Sequence, residues 1–225
     1  MLKKHLIVFI LTLVSLSGFS LTLKRAYDLA IPANGFDKYI TLQTGETYTG
    51  GIYIGQTFDD ETDSFVGDYG LSTKIIGNGA VLDLQHEEIT VAYTEARFEI
   101  SDCVIINGNI RFVGNDSGVN NLYPSGLVEY VTFYNTDDYG IRTLACGNDI
   151  TIRRNIFFNA IYTGDDFLQY NSQVNEFLTT GVNVAISQQN TYNPIAQIYD
   201  NWSFFSRDSI NQDDLYHFSM FCDYG

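Results

Sequence analysis

The sequence predicts an all-β fold, a solenoid of short strands stacked as a single-stranded parallel β-helix, and three observations carry that reading. The composition is rich in aromatics and glycine and poor in proline. After residue 40 no long helical periodicity appears; β-branched and aromatic runs alternate with Gly, Asn and Asp. A short motif recurs at a near-constant step along the chain.

Sixteen Tyr, sixteen Phe and nineteen Gly against three Pro is a strand-and-turn composition. Aromatic side chains suit a pleated surface, and Gly supplies the positive φ that tight turns need. With 45% hydrophobic residues in 225, there is apolar surface for one continuous core, which excludes an intrinsically disordered protein. The formal charge of −15 argues against nucleic acid as a partner, because phosphates are neutralised by Lys and Arg. The same field repels a polyanionic sugar unless a divalent cation or a local basic patch overrides it.

The first twenty residues have the order of a secretory signal peptide. Lys3, Lys4 and His5 precede the apolar run Leu6 to Leu16, and Ser15, Ser17, Gly18 and Ser20 supply small residues. The expected organisation is a signal peptide over 1–20 and an N-terminal cap or lead-in over 21–37. Parallel β-helix repeats follow over 38–225, with an irregular insertion near 160–183. The expected location is secreted or cell-surface; a membrane is a partner only if the N-terminal segment stays uncleaved, and oligomeric state is left open. Cys103, Cys146 and Cys222 form neither a CxxC pair nor a metal cluster, so packing is their expected role, with a disulfide left open.

The motif Ile152-Arg153-Arg154-Asn155-Ile156-Phe157-Phe158-Asn159 aligns with Ile100 to Asn107 and with Val128 to Asn135, and more weakly with Ile198 to Phe205. The anchors Ile100, Val128, Ile152 and Ile198 stand 28, 24 and 46 residues apart, which reads as single repeats and one double repeat of 23. Backward extrapolation lands on Ile75 and then Ile52. Equivalent places in a stack bury equivalent residues. Seven such repeats at strand spacing would span about 34 Å. Ile105, Phe133 and Phe157 share one offset and Ile106, Tyr134 and Phe158 the next, so at least one of these columns is expected inside the core. Asn107, Asn135 and Asn159 share the last offset and are expected at a turn. Phe221 falls on a further anchor just before the sequence stops, so the solenoid is expected to be truncated at its C-terminal end.

Three stretches carry a resemblance to a known family: Lys74 to Asp83 (KIIGNGAVLD), Phe98 to Asn109, and Tyr139-Gly140-Ile141-Arg142 through Asn159. They resemble the opening and recurrent motifs of right-handed parallel β-helix proteins of the pectate lyase-like superfamily, over approximately residues 38 to 205. The resemblance implies the right-handed form of the fold. It also implies a range of functions, from polysaccharide lyases and polygalacturonases to surface proteins without chemistry.

The candidate catalytic residues are acids and arginines. Asn135-Thr136-Asp137 and Gly164-Asp165-Asp166 resemble the two aspartate motifs of polygalacturonases, in which one carboxyl donates a proton and the other stays ionised. The later Gly-His-Gly and Arg-Ile-Lys motifs of that family have no counterpart after Asp166. Paired acids such as Asp137-Asp138 also serve as turn residues. Lyase chemistry needs a cation to neutralise a uronate and a base to take the adjacent proton. Arg142, Arg153 and Arg154 are the tight basic cluster, and at most one of the neighbours Arg153 and Arg154 should face any one groove if both lie on a strand. Their rival role is structural, since Glu129 and Arg153 share an offset, as do Tyr130 and Arg154. No cofactor is implied, although calcium would suit nearby aspartates, and the run Asp59 to Asp63 reads as a solvated loop. The leading expectation is an exported β-helix that binds extracellular polysaccharide, with lyase or glycoside hydrolase cleavage left open. The alternative is a non-catalytic cell-surface or adhesion solenoid.

Overall fold

The computed structural model describes residues 21–62, 64–67, 69–115, 122–136, 139–144 and 149–158, and the backbone of three strands at 186–189, 197–199 and 202–204. Helix α1 (Leu23–Leu29) starts at Thr22, whose hydroxyl accepts from the Arg25 amide at 3.1 Å. It ends before Pro32. Leu23 is part of the core, and Leu21, Ala26, Tyr27 and Ala30 pack against it. Strand β1 (Ile31–Ala33) pairs antiparallel with β2 (Phe36–Thr41).

The strands that follow are β3 (Thr47–Thr49), β4 (Ile52–Gly55), β5 (Thr57–Asp59), β6 (Ser64–Val66), β7 (Thr73–Ala92), β8 (Arg97–Val113), β9 (Ser125–Tyr134), β10 (Ile141–Leu144), β11 (Ile150–Arg153), β12 (Ile156–Phe158), β13 (Ile186–Gln189), β14 (Gln197–Tyr199) and β15 (Trp202–Phe204). All except the β5–β6 hairpin belong to one curled, largely parallel sheet, an all-β arrangement compatible with a β-helix-like fold.

Parallel pairing lines the strands up in three columns. The first places Ile40, Ile75, Ile100, Val128, Ile152 and Ile198 in register. The second aligns Tyr48, Leu82, Ile105, Phe133 and Phe157 with Ser203. The third aligns Ile52, Ile89, Ile110, Ile141 and Ile186. Strands β7 and β8 each pass through all three columns. Their pairing shifts register after Ile76 and after Asp83. Asn78, Gln85, His86, Asp102 and Asn107 take positive φ in this part of the chain, so polar residues adopt the left-handed conformation that lets a strand turn a corner.

Two expectations about the repeat are corrected. Ile52 is not an anchor of the first column; that place belongs to Ile40, and Ile52 opens the third column. The extrapolation slipped because residues 56–72 intervene between β4 and β7. The 46-residue step from Ile152 to Ile198 is one repeat rather than two, because β11 pairs directly with β14. The first column therefore stacks six strands among the described residues, a span of about 24 Å at parallel-strand spacing.

The core expectation holds at the second column. Phe133 and Phe157 are fully buried and stack with centroids 4.8 Å apart and planes 4° from parallel. Gly140 lies beneath them, where a Cβ would come within 2.6 Å of the Phe157 ring. The next offset points outward: Tyr134 and Phe158 stack at 5.4 Å on the surface. Asn107 and Asn135 sit at turns with φ of 52° and 48°, and the Asn107 amide donates to Asp83 Oδ1 at 2.9 Å. Asn159 lies outside the described residues. Cys103 is buried in the core, and burial, helped by Asp102, pushes its thiol up to about 12.

Candidate functional site

The structure places the three candidate arginines in three different settings. Arg153 ends β11 on the outer side of the first column, where Nε donates to Glu129 Oε2 at 2.9 Å. Arg154 lies past the strand end, with φ of 56°. It repeats the left-handed corner taken by Asp102 and Tyr130 at 58° and 55°. Both Arg153 and Arg154 therefore reach solvent, because the corner cancels the alternation expected along a strand. Arg154 Nη1 donates to the Tyr130 hydroxyl at 2.6 Å, with the guanidinium 5.6 Å from the ring centre. Arg142 belongs to the third column, on β10, with its guanidinium 5.8 Å from the Tyr139 ring centre. Asp137, Asp138, Asp165 and Asp166 lie outside the described residues. The described residues thus bring no candidate acid beside a candidate arginine.

The third column instead gathers residues that the motif alignment passed over. The alignment that buries Ile52, Ile89, Ile110 and Ile141 turns Tyr53, Thr90, Arg111 and Arg142 outward in one row. One step back on the same side, Glu88 stands in register with Asn109. Thr90 Oγ1 donates to Glu88 Oε2 at 3.2 Å, and Arg111 Nη1 is 3.6 Å from the same oxygen. That pair is too long for a hydrogen bond.

Two polar atoms of this patch are buried without a hydrogen-bond partner among the described residues, Asn109 Oδ1 and Arg111 Nε. Asn109 is only 8% exposed. A buried donor or acceptor left unpaired costs about 1 to 3 kcal/mol.

No family model, curated protein or solved structure matches the chain. What the patch can do is therefore read from its chemistry. Tyr53 donates its hydroxyl to Gln56 O at 2.6 Å. Burial, then the neighbouring Tyr93, raises its pKa against the opposing pull of Arg111, so the phenol is neutral and fixed. Beyond Tyr53 stands the β5–β6 hairpin, whose Phe65 ring lies 4.9 Å from Tyr93. The patch thus combines a guanidinium, a carboxylate, an amide and aromatic rings on a rigid strand surface. Guanidinium groups match carboxylates in geometry and charge. Arg142 stands one strand beyond Arg111, so the row carries two guanidinium groups, that of Arg111 ion-paired with Glu88, in a chain of charge −15.

Asp59, which opens the acidic run, is engaged locally. Asp59 accepts from Thr62 Oγ1 at 2.8 Å and from the Glu61 amide at 3.0 Å, and the Thr62 bond leads the causes that lower its pKa. Among the described residues no group of three or more His, Cys, Asp and Glu side chains could hold a metal ion. Arg111 could have been found from the sequence: Ile110-Arg111 and Ile141-Arg142 repeat an inward Ile followed by an outward Arg. The signal was hidden because 31 residues separate the two pairs, a step unlike the 24 and 28 of the motif.

Proposed function

We propose that the chain is an exported right-handed parallel β-helix of the pectate lyase-like kind that binds an acidic extracellular polysaccharide along its third column. The part-exposed Arg111 guanidinium, with Arg142 in register on the next strand, carries this reading. A uronate residue offers a carboxylate to the Arg111 guanidinium, and Arg142 supplies positive charge for the next acidic sugar along the row. The parallel pairing of three columns supports the helix, because parallel crossovers are overwhelmingly right-handed. The N-terminal order of Lys3, Lys4, an apolar run and small residues supports export. Glu88, held by Thr90, is the carboxylate nearest the arginine and the candidate base if elimination follows binding.

A second reading, a non-catalytic surface solenoid, draws on Arg153 and Arg154, both engaged between successive repeats. Incubation with polygalacturonate, alginate and neutral dextran separates the two. The polysaccharide reading expects retention on the acidic polymers and not on dextran, with ultraviolet absorbance from unsaturated ends if elimination occurs. Equal indifference to all three favours the surface solenoid.

A further inference from the structure

The exposed apolar side chains of the described residues concentrate beside the third column. Tyr53, Phe58, Val66, Tyr69 and Leu71, half of the large exposed hydrophobics, lie within one stretch of nineteen residues. Such a concentration marks an interaction site more often than isolated exposed residues do. The arm that carries them is held firmly. Phe58 and Phe65 face each other across β5 and β6 with rings 5.2 Å apart, and Phe65 packs on Tyr93. Gln56 Nε2 donates to Gly67 O at 3.4 Å, and Thr94 Oγ1 donates to Tyr69 O. Gly70 takes φ of 79° and packs so closely that a Cβ would stand 3.0 Å from Gly55 N, two residues beyond Tyr53. Tyr69 therefore leaves a segment that touches the end of β4, yet its side chain is 70% exposed.

We infer that Tyr69 is an aromatic subsite that receives the apolar ring face of a sugar further along the polysaccharide chain held at Arg111. The inference rests on the proposed polysaccharide reading and extends it: the ligand is a polymer engaged at two places, one by charge and one by ring stacking. A fixed tyrosine has two side-chain torsions to immobilise, so it offers a large contact area at small entropic cost. The occupant is the same polymer because the arm adjoins the row of Tyr53, Thr90, Arg111 and Arg142. A sugar ring presents C–H faces to an aromatic ring and hydroxyl edges to solvent, which suits an exposed Tyr better than a wholly apolar partner does.

The test is equilibrium binding of galacturonic acid and of polygalacturonate to the wild-type protein and to the Tyr69→Ala, Tyr69→Trp and Arg111→Gln variants, with melting temperature as the control for folding. Tyr69→Ala should weaken polymer binding about five- to tenfold while leaving the monosaccharide unaffected. Tyr69→Trp should restore the polymer affinity. An equal loss for both ligands, or none for the polymer, overturns the subsite. If Arg111→Gln alone abolishes binding, the subsite fails and the polysaccharide reading stands. If the wild-type protein binds neither ligand, both fail.

Discussion

The second and third columns are built from the same in-register pairing and differ in what their outer sides leave unsatisfied. Along the second column the outward residues mix apolar side chains, among them Val104, Ile106, Tyr134 and Phe158, with Thr47, Asp83 and Thr132, and Tyr134 and Phe158 satisfy each other by stacking. Along the third column the outward row of Tyr53, Thr90, Arg111 and Arg142 carries two guanidinium groups, and Asn109 Oδ1 and Arg111 Nε are buried without a hydrogen-bond partner among the described residues. Repetition that closes on itself builds the stack. Repetition of an outward arginine on successive strands instead presents charge to solvent.

The sharpest way to break the comparison is to attack the stack. Phe157→Ala removes a ring buried between Phe133 and the described strand β15 and should cost about 3 to 5 kcal/mol in denaturant unfolding. A loss under about 1 kcal/mol would show that the inner ladder is not the core. Asn155 comes next. Its buried side chain accepts from the Val131 amide at 3.0 Å and donates to Val128 O at 2.9 Å, stitching one repeat to the one before it. Asn155→Ala strands those backbone groups and should cost about 1 to 3 kcal/mol.

Cys103 gives a pH-dependent check of the same interior. Its folded pKa is raised to about 12, so the folded state holds the thiol proton more tightly than the unfolded chain does. That contribution is complete below the unfolded value of about 8.5 and is lost as pH rises toward 12. Melting temperature should therefore fall between about pH 8 and pH 11, and fall less in Cys103→Ala. An identical slope in the variant would place the alkaline loss elsewhere. The smallest effect belongs to the surface: Arg153→Ala, breaking the half-exposed pair with Glu129, should change stability by about 0 to 1 kcal/mol. A larger loss would mean that this outer ion pair helps to hold the repeats together.

The sequence made the first two columns legible because their motif is contiguous. Eight residues from Ile152 to Asn159 span a first-column strand, a corner and a second-column strand, so spacing within the motif is rigid. The third column escaped because it follows stretches of unequal length: five residues separate Ile105 from Ile110, and eight separate Phe133 from Ile141. That irregularity also misplaced Ile52 and made one long repeat look like two. The candidate site suffered for the same reason. Arg142 stood out only as part of a cluster with Arg153 and Arg154, whereas its neighbour on the surface is Arg111, 31 residues away and one strand below. The outward row of Tyr53, Thr90, Arg111 and Arg142 depends on which strands pair, and that pairing leaves no contiguous mark in the sequence.

The central claim, that the third column is the ligand face, is tested most directly by the melting temperature with and without polygalacturonate in the wild-type protein, Arg111→Gln and Arg153→Gln. A ligand that binds the folded state alone raises the melting temperature by mass action. The predicted result is a rise in the wild-type protein and in Arg153→Gln that disappears in Arg111→Gln, whose own stability without ligand stays within about 1 kcal/mol of wild type. A rise that survives in Arg111→Gln, or one that vanishes only in Arg153→Gln, would contradict it.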